Sequence, residues 1–161
     1  MVHRTARCGL RITRLQARRC FGLLRSAGDV WCTVLVANRW RRQRGGPLLV
    51  GYQEICRELA LAGPGTFGEL DSAGARSVLR RYSDAWFAAA KHRAAGDGTA
   101  RFPRRGRALV PVCWYHGKFT LDGRVLRLPA AKGCPPLVVR LDRDFPYPPG
   151  PAPAPGPAGP P

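Results

Sequence analysis

The sequence predicts an α+β protein in which a small β-barrel or sheet is interrupted by an inserted block of helices. Apolar residues alternate at period two over residues 7–12 and again after residue 107, whereas in between they recur at helical spacing. The first strand has no partner close to it in sequence, so we expect it to pair with the late strands. We assign residues 1–12 and 99–145 to the barrel, residues 13–98 to the helical region and residues 146–161 to a tail.

The helical region is predicted to begin with a pair of helices. Thr13 and Gln16 have the spacing of a capping box, which marks a helix start. We expect this helix to end at Gly28 and a second one to begin at Asp29, because glycine is common at helix ends and aspartate at helix starts. The second helix is expected to continue up to the Gly45-Gly46-Pro47 breaker.

Two further helices are predicted after this breaker. Residues 52–61 carry apolar side chains at i, i+4, and the longest predicted helix begins at Asp71 or Ser72 and ends near Arg93. Three aromatic residues of the helical region are interpreted as core: Trp31, Tyr82 and Trp86.

The period of two returns in the C-terminal third. Asp122-Gly123 separates two alternating segments, which is typical of a hairpin with a two-residue primed turn. Residues 137–141 form another predicted strand. Residues 108–115 are also predicted to be a strand, which Pro111 restricts to an edge or a bulge. From Pro146 onward 9 of 16 residues are proline and none is charged, which indicates a polyproline-like or disordered tail.

The chain of 161 residues carries 27 basic and 10 acidic residues, a net charge of +17. Residues 1–50 hold 11 arginines and one aspartate, residues 51–100 are neutral, and residues 101–161 hold 10 basic and three acidic residues. An excess of this size favours nucleic acid as the partner first and an acidic membrane surface second. The two flanking basic segments predict one shared positive face.

The sequence gives no support for several other classes of protein. The longest apolar stretch, residues 30–37, is far shorter than the ~18 residues of a membrane span. The six cysteines are dispersed without a Cys-x-x-Cys pair, so we expect reduced thiols and no metal. No carboxylate pair, nucleophile–base arrangement or phosphate loop stands out, so no cofactor or small-molecule substrate is predicted. The first 28 residues lack acids and are rich in arginine, which leaves an organelle transit peptide as an alternative to a cytoplasmic protein.

Arginine mixed with aromatic residues is the pattern that points to a binding function. It occurs in residues 39–44, 101–107 and 114–119. Cationic side chains hold phosphates and flat side chains stack on bases, so these segments predict contacts to nucleic acid. The candidate contact residues are Arg39, Trp40, Arg41, Arg42, Arg44, Arg101, Phe102, Arg104, Arg105, Arg107 and Lys118.

Several segments together resemble the N-terminal part of TnpB-type (OrfB) insertion-sequence transposases. The similar segments are Thr66-Phe67-Gly68-Glu69-Leu70, the helix over residues 75–91, Gly98-Thr99-Ala100-Arg101-Phe102-Pro103-Arg104, the hairpin ending in Leu128-Pro129, and residues 137–143. Residues 10–38 match the family's opening strand and paired helices more loosely. The resemblance covers about residues 8–145, and its specificity lies in the order of the segments rather than in any single motif.

The resemblance implies an RNA-guided DNA nuclease whose N-terminal part is a wedge-like β-barrel interrupted by a helical recognition region. In such a protein the nuclease domain and the zinc ribbon would follow residue 145, where this chain has only a tail of Pro, Ala and Gly after Tyr147. We therefore expect a truncated copy, inactive as a nuclease alone, that binds RNA and DNA in the cytoplasm in association with the nucleoid.

Two alternatives remain open from the sequence. The helices over residues 13–25 and 29–44 would suit a stand-alone helix-turn-helix DNA-binding regulator. A decayed transposase product without present function is the other alternative.

Overall fold

The computed structural model describes residues 5–61, 65–106 and 108–145, which form three helices and four strands. The predicted α+β class, with helices between a first strand and three late strands, is confirmed. The predicted tail, residues 146–161, lies outside the described residues. In chain order the elements are β1 (Leu10–Arg11), α1 (Arg14–Gln43), α2 (Tyr52–Ala60), α3 (Ser72–Ala94), β2 (Thr120–Asp122), β3 (Val125–Leu128) and β4 (Leu137–Leu141).

The four strands form an open antiparallel sheet in the order β1-β4-β3-β2. The first strand pairs with the last, with Leu10 opposite Leu141, as predicted. The predicted closure into a barrel, wedge-like or otherwise, is wrong. The two edge strands, β1 and β2, are only two and three residues long, and they lie on opposite sides of the sheet.

The segment over residues 108–115, predicted to be a strand, instead crosses α1 and α3 in an extended conformation. The Val110 amide donates to the carbonyl of Leu24 at 3.1 Å, and the Cys113 amide donates to Ser77 Oγ at 3.1 Å. The Arg81 guanidinium donates to the carbonyl of Pro111 at 2.7 Å. Helix groups therefore satisfy the backbone of this segment, and proline contributes no amide to a strand ladder.

The predicted pair of helices is a single helix, α1. Thr13 caps it through the predicted capping box with Gln16. Gly28 does not end it: Gly28 is buried, and a Cβ atom there would lie 2.2 Å from the carbonyl oxygen of Ala108. This glycine lets the crossing segment approach the helix closely, which explains why it occurs inside a helix. The helix ends where predicted, with Gly45 at a φ of 68°.

The other two helices are confirmed. Asp71 caps α3 by accepting hydrogen bonds from the amides of Ala73 and Gly74. With 23 residues α3 is shorter than the 30-residue α1, which is the longest helix among the described residues. In the hairpin Asp122 pairs with Val125, so the two-residue turn is Gly123-Arg124, one residue later than predicted. Gly123 has a φ of 54°, the left-handed value that a primed turn needs at its first central position.

One hydrophobic core joins the helices to the sheet. Its buried side chains come from α1, α2, α3, β4 and the connecting loops: Leu23, Ala27, Val30, Val34, Leu49, Ile55, Leu59, Leu70, Ala75, Val78, Leu79, Tyr82, Leu137 and Val139. This core places the C-terminal end of α1 beside the middle of α3, where the site described below lies.

Among the described residues, α1 is long and apolar enough to cross a membrane by length and composition alone, because its most apolar stretch of 18 residues contains at most two charged residues. A third of its most apolar stretch is buried against the rest of the chain.

Candidate nucleic-acid interface

A cavity of about 460 Å³ lies between the C-terminal end of α1, the middle of α3 and the loop over residues 101–106. It combines cationic, aromatic and apolar side chains from segments that are about 60 residues apart in sequence. The lining residues are Leu35, Asn38, Arg39, Arg42, Leu48, Tyr82, Trp86, Phe102 and Pro103. We call it the arginine–aromatic cavity.

Asn38 holds one wall of the arginine–aromatic cavity in place. Its side chain is buried, and it accepts a hydrogen bond from the Leu49 amide at 2.6 Å and donates to the Leu49 carbonyl at 2.9 Å. It also donates to the hydroxyl of Tyr82 at 3.1 Å. One residue further along, Ser83 Oγ donates to the carbonyl of Val50 at 2.7 Å. The loop after α1 is thus tied to α1 and to α3 through buried polar side chains.

The loop over residues 101–106 forms the opposite wall. Trp31 Nε1 donates to the carbonyl of Arg104 at 3.1 Å, and Arg93 Nε donates to the carbonyl of Ala100 at 2.8 Å. The ring of Phe102 packs against Trp86, with centroids 5.3 Å apart and planes inclined by 44°. Phe102 remains 40% exposed, so one side of its ring is open to a ligand.

The charges of the cavity are free to meet an anion. Arg39 and Arg42 are exposed, and within the described part of the chain neither forms an ion pair. Burial raises the pKa of Tyr82, against smaller lowering effects from the Asn38 hydrogen bond and the Arg42 charge. The Tyr82 hydroxyl therefore stays protonated at neutral pH, beside two permanent cations.

Three other candidates on α1 have different surroundings. Arg41 lies 3.1 Å from Glu58 and 3.8 Å from Glu54, so it joins α1 to α2 instead of facing an open surface. The Arg44 guanidinium lies 5.3 Å from the ring of Trp40, and both side chains are exposed near the end of the helix.

The loop candidates divide into two groups. Arg101, Arg104 and Arg105 are exposed and are close in sequence to Phe102 and Pro103, the two residues of this loop that line the cavity. Lys118 lies away from this cavity, in the turn before β2, beside Phe119 and Arg127. Arg107 lies outside the described residues. The loop over residues 101–106 thus meets the basic C-terminal end of α1. In the third basic–aromatic segment, residues 114–119, Lys118 lies in the turn before β2, whereas Tyr115 lies beside Arg76 and Arg80.

The prediction that Tyr82 belongs to the core is confirmed, since its side chain is 2% exposed, whereas Trp86 is only half-buried. The place of both residues in the wall of the cavity was not predicted. Their i, i+4 spacing identified the inner face of α3, but only the packing of Phe102 shows that this face is partly open. A second basic–aromatic group was also missed. The Arg80 guanidinium lies 4.3 Å above the ring of Tyr52, next to Arg76 and Tyr115.

Among the described residues no group of three or more His, Cys, Asp and Glu side chains is placed to hold a metal ion. Asp142 and Asp144, the last two aspartates of the chain, both bind protein groups. Asp144 makes a bidentate contact to Arg124, and Asp142 accepts a hydrogen bond from the Gly9 amide at 3.0 Å. All six cysteines are free thiols, four of them half-buried and two exposed.

The chain matches no protein-family model, no curated protein and no solved structure.

Proposed function

We propose that the chain binds nucleic acid through the surface around the arginine–aromatic cavity. One observation carries the proposal: the basic segments at residues 39–44 and 101–105, separated by a neutral stretch of sequence, flank the same aromatic-lined cavity. Guanidinium groups bind phosphates bidentately, and aromatic rings offer stacking surfaces to bases, so this combination suits a polynucleotide better than a bare phosphate or a flat acidic surface.

The resemblance to TnpB-type transposases supports RNA as the preferred ligand, with DNA as a further partner. On this proposal the chain is a nucleic-acid-binding unit without nuclease activity of its own, located in the cytoplasm and associated with the nucleoid. A helix-turn-helix motif needs two helices joined by a turn, whereas residues 14–43 form one continuous helix. We therefore do not propose a helix-turn-helix regulator.

Fluorescence anisotropy with the purified 161-residue chain tests the proposal. Labelled structured RNA, single-stranded RNA and duplex DNA of equal length are titrated at several salt concentrations. We expect binding that weakens with salt, and an affinity for structured RNA at least equal to that for duplex DNA. Binding to duplex DNA alone, or no binding to any of the three, would refute the proposal. Cleavage of a labelled substrate with Mg²⁺ present would refute the stated lack of nuclease activity.

A charge-matched pair of variants locates the binding surface. Arg39→Ala/Arg42→Ala removes two cations from the cavity, whereas Arg14→Ala/Arg18→Ala removes two exposed cations at the other end of α1, roughly 40 Å away. The cavity variant is expected to bind single-stranded RNA at least about tenfold more weakly, with a salt slope smaller by about 1.4. Equal losses in both variants would show general attraction to a basic chain instead of a defined surface.

A further inference from the structure

We infer that the arginine–aromatic cavity receives a single unpaired nucleobase, extruded from a structured nucleic acid, while Arg39 and Arg42 hold the phosphates beside it. This inference rests on the proposed function and adds the part of the ligand that is recognised. A protein that binds only the phosphate backbone of a duplex would not need such a pocket. A protein with the pocket would bind a bulged, looped or terminal nucleotide.

The walls of the cavity suit a flat ring system, and its size admits one. Its volume of about 460 Å³ falls within the ~300–1,000 Å³ of typical small-ligand sites. Trp86 and Phe102 supply aromatic surface on one side, and Leu35, Leu48 and Pro103 supply apolar contacts around it. Stacking on such surfaces is available only to a base that has left its own stack, because a paired base exposes only its edges.

A hydrogen-bond donor is located among these apolar walls. The Tyr82 hydroxyl accepts a hydrogen bond from Asn38, so its own proton is left to donate, and no acceptor for that proton is in place within the described residues. Every common nucleobase carries a carbonyl oxygen or a ring nitrogen able to accept it. The Asn38 amide group donates to the Leu49 carbonyl and to the Tyr82 hydroxyl, so the uncharged donor that remains for a ligand is the Tyr82 hydroxyl, on a side chain that is 2% exposed.

Two cations accompany the apolar walls. Arg39 and Arg42 are three residues apart on α1, so their side chains project from the same face of the helix. Both are exposed, whereas Arg41 between them is occupied by Glu54 and Glu58. Apolar walls with cations beside them match a nucleotide, in which a base is joined to a phosphate, rather than a purely apolar ligand.

The test compares two RNA duplexes that differ by one unpaired adenosine. The full chain is titrated by anisotropy with a labelled duplex and with the same duplex carrying a single bulged adenosine, and both are repeated as DNA. We expect the bulged RNA to bind about tenfold more tightly than the perfect duplex. Replacing the bulged base with 2-aminopurine is expected to give a change in its fluorescence on binding, since the base leaves its stack in the duplex and enters the cavity. The DNA arm shows whether the pocket accepts the base with either sugar.

Two variants distinguish a direct effect on the cavity from an effect on the fold. Phe102→Leu keeps the apolar volume but removes the stacking face, and is expected to abolish the preference for the bulged duplex over the perfect duplex. The matched control is Phe87→Ala, which removes an exposed phenylalanine from Trp86, 5.3 Å away, outside the cavity lining. This control is expected to retain the preference. Circular dichroism of each variant checks that the helices are intact.

The outcomes distinguish the two proposals. Equal affinity of the wild-type chain for bulged and perfect duplexes, or a preference that survives in Phe102→Leu, overturns the base pocket and leaves nucleic-acid binding standing. If Phe87→Ala loses the preference for the bulged duplex as completely as Phe102→Leu does, the base pocket is also overturned. The loss would then come from disturbing the position of Trp86, against which both phenylalanines pack. Failure to bind any of the four duplexes overturns both proposals.

Discussion

Two cavities of similar size lie at different ends of this molecule, and they are built differently. The arginine–aromatic cavity, about 460 Å³, is framed by helices and contains two arginines. The second, about 410 Å³, lies over the open sheet and has an almost wholly apolar lining, including Trp114, Phe119 and Phe145. Because volume and aromatic content are similar, the difference in charge is the reason why we propose the first cavity, and not the second, for an anionic ligand.

The two ends also differ in what holds them together. At the helical end, buried polar side chains, above all Asn38, fix the walls of the cavity. At the sheet end the strands are joined by backbone pairing, and the ion pair between Arg124 and Asp144 is exposed. Buried hydrogen bonds cost much when one partner is removed, whereas exposed ion pairs contribute little. We therefore expect substitutions at the helical end to change stability more than substitutions of the exposed ion pair at the sheet end.

The largest expected effect is at the helical end. Asn38→Ala leaves the amide and carbonyl of Leu49 buried without partners, and we expect it to lower the free energy of unfolding by about 3 kcal/mol. Urea denaturation followed by circular dichroism measures the loss. The control is Gln43→Ala, at an exposed position of the same helix, which is expected to change stability by less than about 0.5 kcal/mol. Similar values for both variants would mean that the buried network does not frame the cavity.

Between the two ends, the extended segment over residues 108–115 packs on α1 at Gly28. Gly28→Ala would place a methyl group against the Ala108 carbonyl, and we expect a loss of about 2 kcal/mol despite the higher helix propensity of alanine. In Gly22→Ala the new methyl group meets only the end of the exposed Glu69 side chain, which can move. That control is expected to be neutral or stabilising by up to about 1 kcal/mol in the same unfolding experiment. A neutral Gly28→Ala would show that the close approach is not required.

A smaller effect is expected from single cations at the two ends. Arg42→Ala removes a cation from the arginine–aromatic cavity and is expected to weaken RNA binding about three- to tenfold at moderate salt. Lys118→Ala removes one from the turn before β2, and we expect less than about a twofold change. Anisotropy titrations of both variants give the comparison. A larger loss for Lys118→Ala would move the binding surface to the hairpin.

The smallest effect concerns the exposed ion pair of the sheet end. The hydrogen bonds from Arg124 hold the pKa of Asp144 below its ordinary value of 3.8. A lowered folded-state pKa stabilises the fold above the unfolded pKa, and this stabilisation is lost as the pH falls through the folded value. Asp144→Asn should therefore show a slightly weaker decline in Tm below pH 3.8 than the wild type. A decline unchanged in Asp144→Asn would show that the pair does not affect stability.

Much of the fold was predictable because local signals agreed with the tertiary structure. The capping box of Thr13, the cap of Asp71, the hairpin around Gly123 and the strand at residues 137–141 all depend on neighbours close in sequence. Pairing of the first strand with the last was also predictable, since no other partner for it was at hand.

The errors occurred where distant contacts decided the outcome. Gly28 was read as a helix end because glycine often has that role, whereas here it accommodates the carbonyl of Ala108. Residues 108–115 alternate like a strand, but α1 and α3 supply their hydrogen-bond partners, so the sheet stays open. Neither contact can be predicted from the residues close to it in sequence.

The same division applies to the candidate site. By itself, the sequence determined the charge of +17, its concentration at both ends of the chain and the mixing of arginine with aromatic residues, because these are properties of composition and order. Only the tertiary structure decided that Arg39, Arg42 and Phe102 share a cavity with Tyr82 and Trp86, while Arg41 is used in packing and Lys118 lies on the hairpin. Side chains 60 residues apart meet only after the core has formed, and periodicity along the chain carries no information about which faces then remain open.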